Sequence, residues 1–449
     1  MRCTERPEGD EVSATQTPAP QPSAPLAEPE TKIAPSRWQT TLQAIVTGNG
    51  IISLLAVLLA VLVGSIMIAA TNEEVQTASG YFFAQPADTF AAIWEAVTGA
   101  YAALFRGAIY NFNADTFEKG IRPLTETLKF ATPLIAAGLG VGLAFRAGLF
   151  NIGGQGQMLM AAAAAGYVAT AMDLPMGLHL VAAIVAGLVA AAIWAGIAGL
   201  LKARTGAHEV ITTIMLNHIA FYLLAWMLAT QGLLQAPGSS NPKTAPMAET
   251  AVLPQLLGPT YKLHAGFLLA LVAVAFTWWL LERSSLGFRF RAVGENPSAA
   301  KVAGIDVGRM YFVVMLIAGA LVGIAGVSQV LGTEVRGFSG GIDAGIGFDA
   351  ITVALLGRSS PIGILFAGLL FGAFKTGGFT MQSSQGIPVE IILVVQSLIV
   401  LFIAAPPLVR AIFGLPQPGR PSRKAKRVAK ARRSETEGKS ETEGKKVSA

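Results

Sequence analysis

Charged residues and cysteine are both scarce in this chain of 449 residues. Only 13% of the residues are charged and 53% are hydrophobic, whereas a soluble domain carries roughly a quarter charged residues. The single cysteine, Cys3, excludes an intramolecular disulfide and a cysteine-rich metal site. The composition therefore predicts a membrane protein, and no cofactor or metal is expected.

Motifs for catalysis and ATP binding are also missing. The chain has no Walker A, H-E-x-x-H or G-x-S-x-G motif, and its nearest approach to a Walker A, at 368–376, has Phe374 where glycine is required. The apolar segments carry few acids and bases, which a carrier that works alone usually needs on its helices. We therefore predict a non-enzymatic transport protein that draws its energy from another subunit.

Ten segments are apolar over about the length needed to cross a ~30 Å hydrocarbon core. They lie at 51–70, 126–147, 155–173, 177–201, 208–230, 263–281, 310–331, 345–357, 361–380 and 388–406. The stretch 82–108 is less apolar and predicts an amphipathic helix at the membrane surface rather than a span. The expected fold class is an all-α polytopic membrane protein with about ten transmembrane helices.

Basic residues between these segments favour one orientation. If the N-terminus is inside, the inner connections contain basic residues such as Lys202, Arg289 and Arg358. The short outer connections at 173–177 and 381–387 contain no Lys or Arg. This positive-inside pattern predicts a multi-pass protein of the plasma membrane with both termini in the cytoplasm.

The two ends of the chain differ in composition from its centre. Residues 1–40 are rich in Pro, Ala, Thr, Ser and Glu, and they predict a disordered cytoplasmic tail without a secretory signal. Residues 407–449 predict a basic, charged cytoplasmic tail, and 41–406 the transmembrane domain. Because the basic run 420–433 follows the last apolar segment, we expect it to contact anionic lipid rather than nucleic acid.

Two polar, glycine-rich stretches interrupt the apolar pattern, at 145–158 and 336–356. Non-helical backbone at membrane depth survives only inside protein or beside water, so each stretch predicts a helix break or a pore. Both contain Gly-Gly flanked by Ile and a polar residue, and they lie about five spans apart. They are expected at opposite ends of the membrane, as halves of an inverted repeat.

Polar side chains in and near these stretches are candidates for lining a translocation path. They are Asn151, Gln155, Gln157, Thr213, Asn217 and Asp349. Neutral amides can hydrogen-bond an uncharged substrate without supplying a counter-ion. Alternatively, each could satisfy backbone groups freed by a broken helix, and the sequence leaves both roles open. His218, beside Asn217, is expected to be a hydrogen-bonded packing residue, with a role in lining the path as the alternative.

The longest internal connection on the inner side runs from Glu282 to Arg309. Pro297 predicts a helix start, and Gly304 predicts its end. A short helix lying across this face could dock a partner, whereas the alternative is an ordinary solvated loop.

Four sequence motifs resemble one family of transport proteins. GENPSAAKVAGIDVGR at 294–309, followed by AGALVGIAG, is similar to the cytoplasmic loop and next span of permeases in the branched-chain amino acid/ribose superfamily of ABC importers. FRAGLFNIGGQGQM at 145–158, HEVITTIMLNHIAFYLL at 208–224 and GFDAITVALLGRSSPIG at 347–363 resemble its nucleoside-type branch. The resemblance covers roughly residues 120–406 and neither tail.

The resemblance implies a permease subunit that forms the translocation path for nucleosides. Such a subunit pairs with a second, usually heterologous permease, docks a cytoplasmic ATP-binding subunit and receives substrate from an extracytoplasmic binding lipoprotein. The residues that match the family's ATPase-coupling segment are Glu295, Asn296, Pro297, Ala299, Ala300, Lys301 and Gly304. The resemblance implies that the first five of these fit a groove on the ATP-binding subunit.

Three other functions remain open at this point. A simple-sugar (ribose-type) permease of the same superfamily would share the architecture. An ion-driven secondary carrier would lose uptake when an uncoupler is added at constant ATP. A membrane scaffold that recruits partners through its basic tail would leave uptake intact when it is deleted.

Overall fold

The structure is a computed structural model that describes residues 49–258 and 260–414, and this part of the chain is built from α-helices without a β-strand. The prediction of an all-helical fold is confirmed. The predicted tail 1–40 and nearly all of the predicted tail 407–449 lie outside the described residues, as does Cys3. The helices are α1 (Asn49–Thr71), α2 (Glu73–Ser79), α3 (Pro86–Ala108), α4 (Phe117–Arg146), α5 (Gly154–Ala171), α6 (Leu178–Thr205), α7 (Glu209–Leu228), α8 (Gly266–Arg283), α9 (Ser285–Glu295), α10 (Pro297–Val302), α11 (Val307–Ser328), α12 (Ile346–Leu356), α13 (Pro361–Gln385), α14 (Val389–Ala404) and α15 (Pro406–Ile412).

Six of the described helices are long and apolar enough to cross a membrane: α4, α6, α7, α8, α11 and α13. A seventh span arises if α1 and α2, which meet at a 74° bend, are counted together. Each of the ten predicted segments coincides with a helix, but α12 and the apolar part of α14 are shorter than a full span. The count of ten spans and the sidedness of the termini stay predictions.

Helix α5 is a buried helix in the middle of the described bundle. It packs against α6, α7, α11 and α12. Small residues allow this close approach, because a Cβ atom at Gly326 of α11 would lie 2.4 Å from the carbonyl oxygen of Met158. Its first turn, GQGQ, is polar, and α5 is not among the six helices long and apolar enough to cross a membrane.

Glycines spaced four residues apart bring other helices together, as the sequence predicts. A Cβ atom at Gly319 of α11 would lie 2.4 Å from the carbonyl oxygen of Ala191 on α6. One at Gly368 of α13 would lie 2.5 Å from the Ile135 side chain on α4. The structure thereby identifies the helices that meet, which the spacing alone cannot do.

One end of the bundle carries many basic residues, and we call it the basic end. There α4, α6 and α8 finish and α7, α9 and α11 begin. Lys202 forms an ion pair of 2.8 Å with Glu209 across the α6–α7 connection, and Gly308 lies beside Ala203. Arg146, Arg283 and Arg358 lie at this end as well. The clustering agrees with the charge pattern expected of a cytoplasmic face.

Helix α3 lies alongside α13. A Cβ atom at Gly99 would lie 3.0 Å from the Gln385 amide oxygen, and Gly107 abuts Thr380 and Gly377. The stretch 82–108, predicted to lie on the membrane surface, therefore packs lengthwise against one of the six long apolar helices.

Candidate functional site

The two polar glycine-rich stretches meet in the middle of the bundle, at the first turns of α5 and α12. A Cβ atom at Gly347 would lie 2.4 Å from the Cα of Gln155, and one at Gly154 would lie 2.9 Å from the carbonyl oxygen of Gly347. Gln155 Nε2 also donates a hydrogen bond of 3.1 Å to Asp343 Oδ2. We call this contact, formed by residues 151–157 and 343–349, the junction.

The junction corrects the sequence-based prediction that the two stretches lie at opposite ends of the membrane. Each stretch turns back into the bundle before its helix begins, so both helices start internally. Helix α5 then runs alongside α11, with Met158 beside Gly326 and Gly166 beside Val330. Helix α12 instead runs alongside α4 toward the basic end, so the two helices leave the junction in opposite directions.

Two neighbouring amides pair with each other at the start of α5. Gln157 Nε2 donates to Asn151 Oδ1 at 3.1 Å, and the reciprocal bond from Asn151 Nδ2 to Gln157 Oε1 is 3.4 Å. Asn151 Oδ1 also accepts a bond of 2.9 Å from the Gly153 amide. Both side chains are buried. Their polar groups are therefore engaged within the protein.

Helix α7 supplies the other support for the broken backbone. Asn217 Oδ1 accepts from the Gly156 amide at 2.8 Å, and its Nδ2 donates to the Ile152 carbonyl at 2.9 Å. Thr213 Oγ1 accepts from the Ile152 amide at 3.3 Å. The first amides of a helix have no partner within that helix, so Asn217 acts as a cap contributed by a neighbouring helix. Of the two roles open for these residues, the bonds of Asn151, Thr213 and Asn217 fit the satisfaction of freed backbone, whereas Gln157 pairs with the Asn151 side chain.

The remaining two candidates, Gln155 and Asp349, are only half-buried. Asp349 lines a cavity of about 320 Å³ between α4, α12, α13 and α14, which borders the junction at Ala344 and Gly345. Lys375 projects into the same cavity, and its Nζ donates to the Ala344 carbonyl at 3.3 Å. The other lining residues are Leu134, Phe371, Phe374, Phe379, Ile392, Leu393 and Gln396. We call this space the junction cavity.

Sequence reasoning overlooked four kinds of residue at this site. Asp343 follows Gly-Gly-Ile in a largely apolar chain, and an acidic residue in such a place is a signal that the sequence offers. Lys375 carries a charge inside an otherwise apolar segment, which is a signal of the same kind. The phenylalanines and Gln396 carry no local signal, because such residues are common in any apolar helix.

The short helix predicted at the basic end is present as α10. Asn296 Oδ1 caps it by accepting from the Ala299 amide at 3.0 Å, and Gly304 ends it with a φ of +82°. The remaining coupling candidates Glu295, Pro297, Ala299 and Lys301 are exposed. Their role in docking a partner stays a prediction.

Ala300 does not face outward as its assignment to a partner groove requires. Only 3% of Ala300 is exposed, because it packs into the hydrophobic core that includes Phe290 and Val293. Val302, which was not singled out, is 90% exposed and is the most prominent apolar side chain of the helix. The outward surface of α10 is therefore formed by all of its residues except Ala300.

A second polar cavity, of about 480 Å³, lies at the opposite end from the basic end and is lined in part by Lys129, Lys262, Glu334 and Arg336. His264 lies behind it, before the start of α8, with its ring stacked on Gly332. Burial and, secondarily, the charge of Lys129 lower the pKa of His264 to about 4. His264 is therefore neutral at physiological pH.

Comparisons with known proteins agree with this architecture. Residues 124–404 match the family described as the permease component of the branched-chain amino acid transport system. Guanosine ABC transporter permease protein NupP of Bacillus subtilis is 36% identical over 71% of this chain and 88% of its own length. Glucose ABC transporter permease protein TsgB13 of Haloferax volcanii is 37% identical over 62% and 75%. Nucleoside ABC transporter permease protein NupB of Lactococcus lactis is 36% identical over 63% and 79%. No solved structure gives a significant match.

Proposed function

The chain belongs to the permease-component family of the branched-chain amino acid transport system, and we propose that it forms the translocation path of a nucleoside importer. It is a multi-pass membrane subunit of an ABC transporter. The observation that carries the proposed path is the junction, where two oppositely directed helices begin inside the bundle beside a partly polar cavity. Interrupted helices of this kind are where transporters typically bind substrate.

The junction cavity suits a nucleoside in size and chemistry. Its volume of about 320 Å³ lies within the usual range for small-molecule sites, roughly 300–1,000 Å³. Phe371, Phe374 and Phe379 offer ring faces for a planar base. Asp349 and Gln396 offer hydrogen-bond acceptors and donors for ribose hydroxyls and base edges. The names of the guanosine and nucleoside relatives support the same substrate class.

The basic end is proposed to face the cytoplasm and to receive the partners that supply energy. The exposed surface of α10 would dock an ATP-binding subunit, because a short capped helix with a protruding apolar side chain can enter a groove on a partner. A second permease, which we expect to be heterologous, and an extracytoplasmic substrate-binding lipoprotein would complete the importer. Hydrolysis of ATP is assigned to the separate subunit.

A sugar is the second candidate substrate, since the glucose permease relative is as similar as the nucleoside permeases. The two candidates differ in their need for aromatic faces. A nucleoside presents a flat base that can stack on Phe374, whereas a monosaccharide relies more on hydrogen bonds.

The decisive experiment is ATP-dependent uptake of labelled guanosine by the purified complex in proteoliposomes, with competition by nucleosides, nucleobases, glucose and ribose. Competition by nucleosides alone supports the proposal, and competition by sugars alone overturns it in favour of the second candidate. Uptake that collapses with an uncoupler at constant ATP would indicate an ion-driven carrier instead. Phe374→Ala should weaken guanosine uptake, whereas Phe366→Ala, which changes an exposed residue on the same helix, is the matched control.

A further inference from the structure

Backbone strain is concentrated at the two ends of α12. Within the described residues, positive φ at a non-glycine position occurs at Ala344 (44°), Arg358 (52°) and Ser359 (51°). Ala344 lies just before α12 and borders the junction cavity, whereas the other two follow its last turn at the basic end. L-residues adopt this conformation only where the surroundings enforce it, and such strain is typical of switch regions. The backbone at both ends of α12 is therefore held in a strained conformation by its surroundings.

Arg146 holds the strained end of α12 at the basic end. This arginine is the last residue of α4, and its Nε donates a hydrogen bond of 3.0 Å to the carbonyl oxygen of Ser359. Two residues later the chain turns at Gly148, with a φ of +76°, and continues to the junction. Arg146 is thus hydrogen-bonded to the residue that follows the end of α12. It also directly precedes, in the chain, the stretch that leads to the start of α5.

The last turn of α9 lies directly against the same corner. A Cβ atom at Gly294 would lie 2.2 Å from the carbonyl oxygen of Arg146 and 3.1 Å from the carbonyl carbon of Ala147. One at Gly148 would lie 3.2 Å from the Cα of Gly294. No side chain separates the two backbones, so rotamer changes cannot absorb a displacement of α9 toward the corner. Helix α9 continues through Asn296 into the exposed α10.

We propose that Arg146 is the positioning residue that passes movement of α9 and α10 to α12. The inference rests on the proposed function, in which α10 docks the ATP-binding subunit. A movement of α9 shifts the Arg146–Gly148 corner, and the guanidinium then carries Ser359 with it. The other strained end of α12, at Ala344, borders the junction cavity. Movement of α12 therefore changes the shape of this cavity, although the docking surface on α10 lies at the basic end.

Replacement of Arg146 in the purified complex tests the proposal. Arg146→Met removes the bond to Ser359, and Arg146→Lys keeps a cationic donor. The measurements are guanosine uptake and ATP hydrolysis in proteoliposomes, both normalised to assembled complex. We expect Arg146→Met to lower the number of guanosine molecules moved per ATP by about tenfold, the effect of losing one charged hydrogen bond. Arg146→Lys should recover most of this ratio, which a role limited to folding would not predict.

A matched pair of glycine variants covers the case in which Arg146→Met fails to assemble. Gly294→Ala places a methyl group against the carbonyl of Arg146, and Gly319→Ala creates a similar clash with the carbonyl of Ala191, away from the corner. We expect only Gly294→Ala to lower guanosine moved per ATP, although both reduce the yield of complex.

The outcomes separate this inference from the proposed function. If the wild-type complex shows no ATP-driven uptake of any nucleoside or sugar, the proposed function fails and the inference with it. If the wild type couples ATP hydrolysis to uptake and the Arg146→Met or Gly294→Ala complex retains the wild-type ratio, the inference alone is overturned.

Discussion

Replacement of Asn217 by Leu tests whether the polar residues beside the junction hold backbone or contact substrate. Leu has nearly the same size but offers neither the acceptor used by the Gly156 amide nor the donor used by the Ile152 carbonyl. A buried backbone group left without a partner costs about 1–3 kcal/mol, so loss of both bonds predicts a destabilisation of about 2–6 kcal/mol. The upper part of this range is favoured because lipid offers no replacement partner.

The assay for Asn217→Leu is the thermal unfolding midpoint of the purified protein in detergent, combined with the KM for guanosine uptake by assembled complex. We expect a midpoint lower by several degrees and uptake that falls in proportion to the folded protein, with little change in KM. His218→Leu is the matched control, because the structure leaves this neighbouring residue exposed, contrary to the packing role expected from the sequence. A wild-type midpoint together with an altered KM would refute the reasoning and assign Asn217 to the path.

Three further predictions concern other parts of the molecule. Val302→Arg should abolish substrate-stimulated ATP hydrolysis without lowering the unfolding midpoint, since Val302 is exposed. Ala300→Arg should lower both ATP hydrolysis and the midpoint because Ala300 is buried. Equal midpoints for the two variants would contradict this orientation of α10. Asp349→Asn should reduce guanosine uptake about tenfold or less, as expected for one hydrogen bond, with the complex intact; unchanged uptake would remove Asp349 from the site. Between pH 6.5 and about 4, His264 is protonated in the unfolded chain but not in the folded protein. As the pH falls through that range, this residue should lower the free energy of unfolding by up to about 3 kcal/mol. His264→Gln should flatten the pH dependence of unfolding, and an unchanged slope would contradict the assignment.

The resemblance in the sequence leads to the correct family, and two of its motifs occupy places where the fold departs from a plain helical bundle. NIGGQGQ at 151–157 surrounds the broken start of α5, and the segment 294–304 spans the end of α9 and all of α10. Glycines and amides are needed wherever backbone groups lack helical partners, so these positions carry a signal that can be read locally. The helices themselves follow from apolar length, which is equally local.

The limits of sequence reasoning are clearest at α10 and at the junction. Helix α10 has fewer than two turns, and nothing in SAAKVAG indicates whether Ala300 or Val302 faces the protein. That choice depends on how α10 packs beside Phe290 and Val293, which lie on a different helix. The same limit applies to Asn217, whose two possible roles differ only in whether its amide reaches the backbone of another segment.

By itself the sequence determined the membrane class, the all-helical fold, the interruptions in the apolar pattern and the exclusion of an intramolecular disulfide, because each follows from composition or from short spacing. Only the tertiary structure decided that Gln155 and Gly347 touch, that Asp343 and Lys375 lie at the junction and its cavity, and that Arg146 bonds to Ser359. These contacts join residues far apart in the chain. They exist because two stretches turn back into the bundle and meet, which depends on the packing of α5 against α6, α7 and α11 and of α12 against α4 and α13.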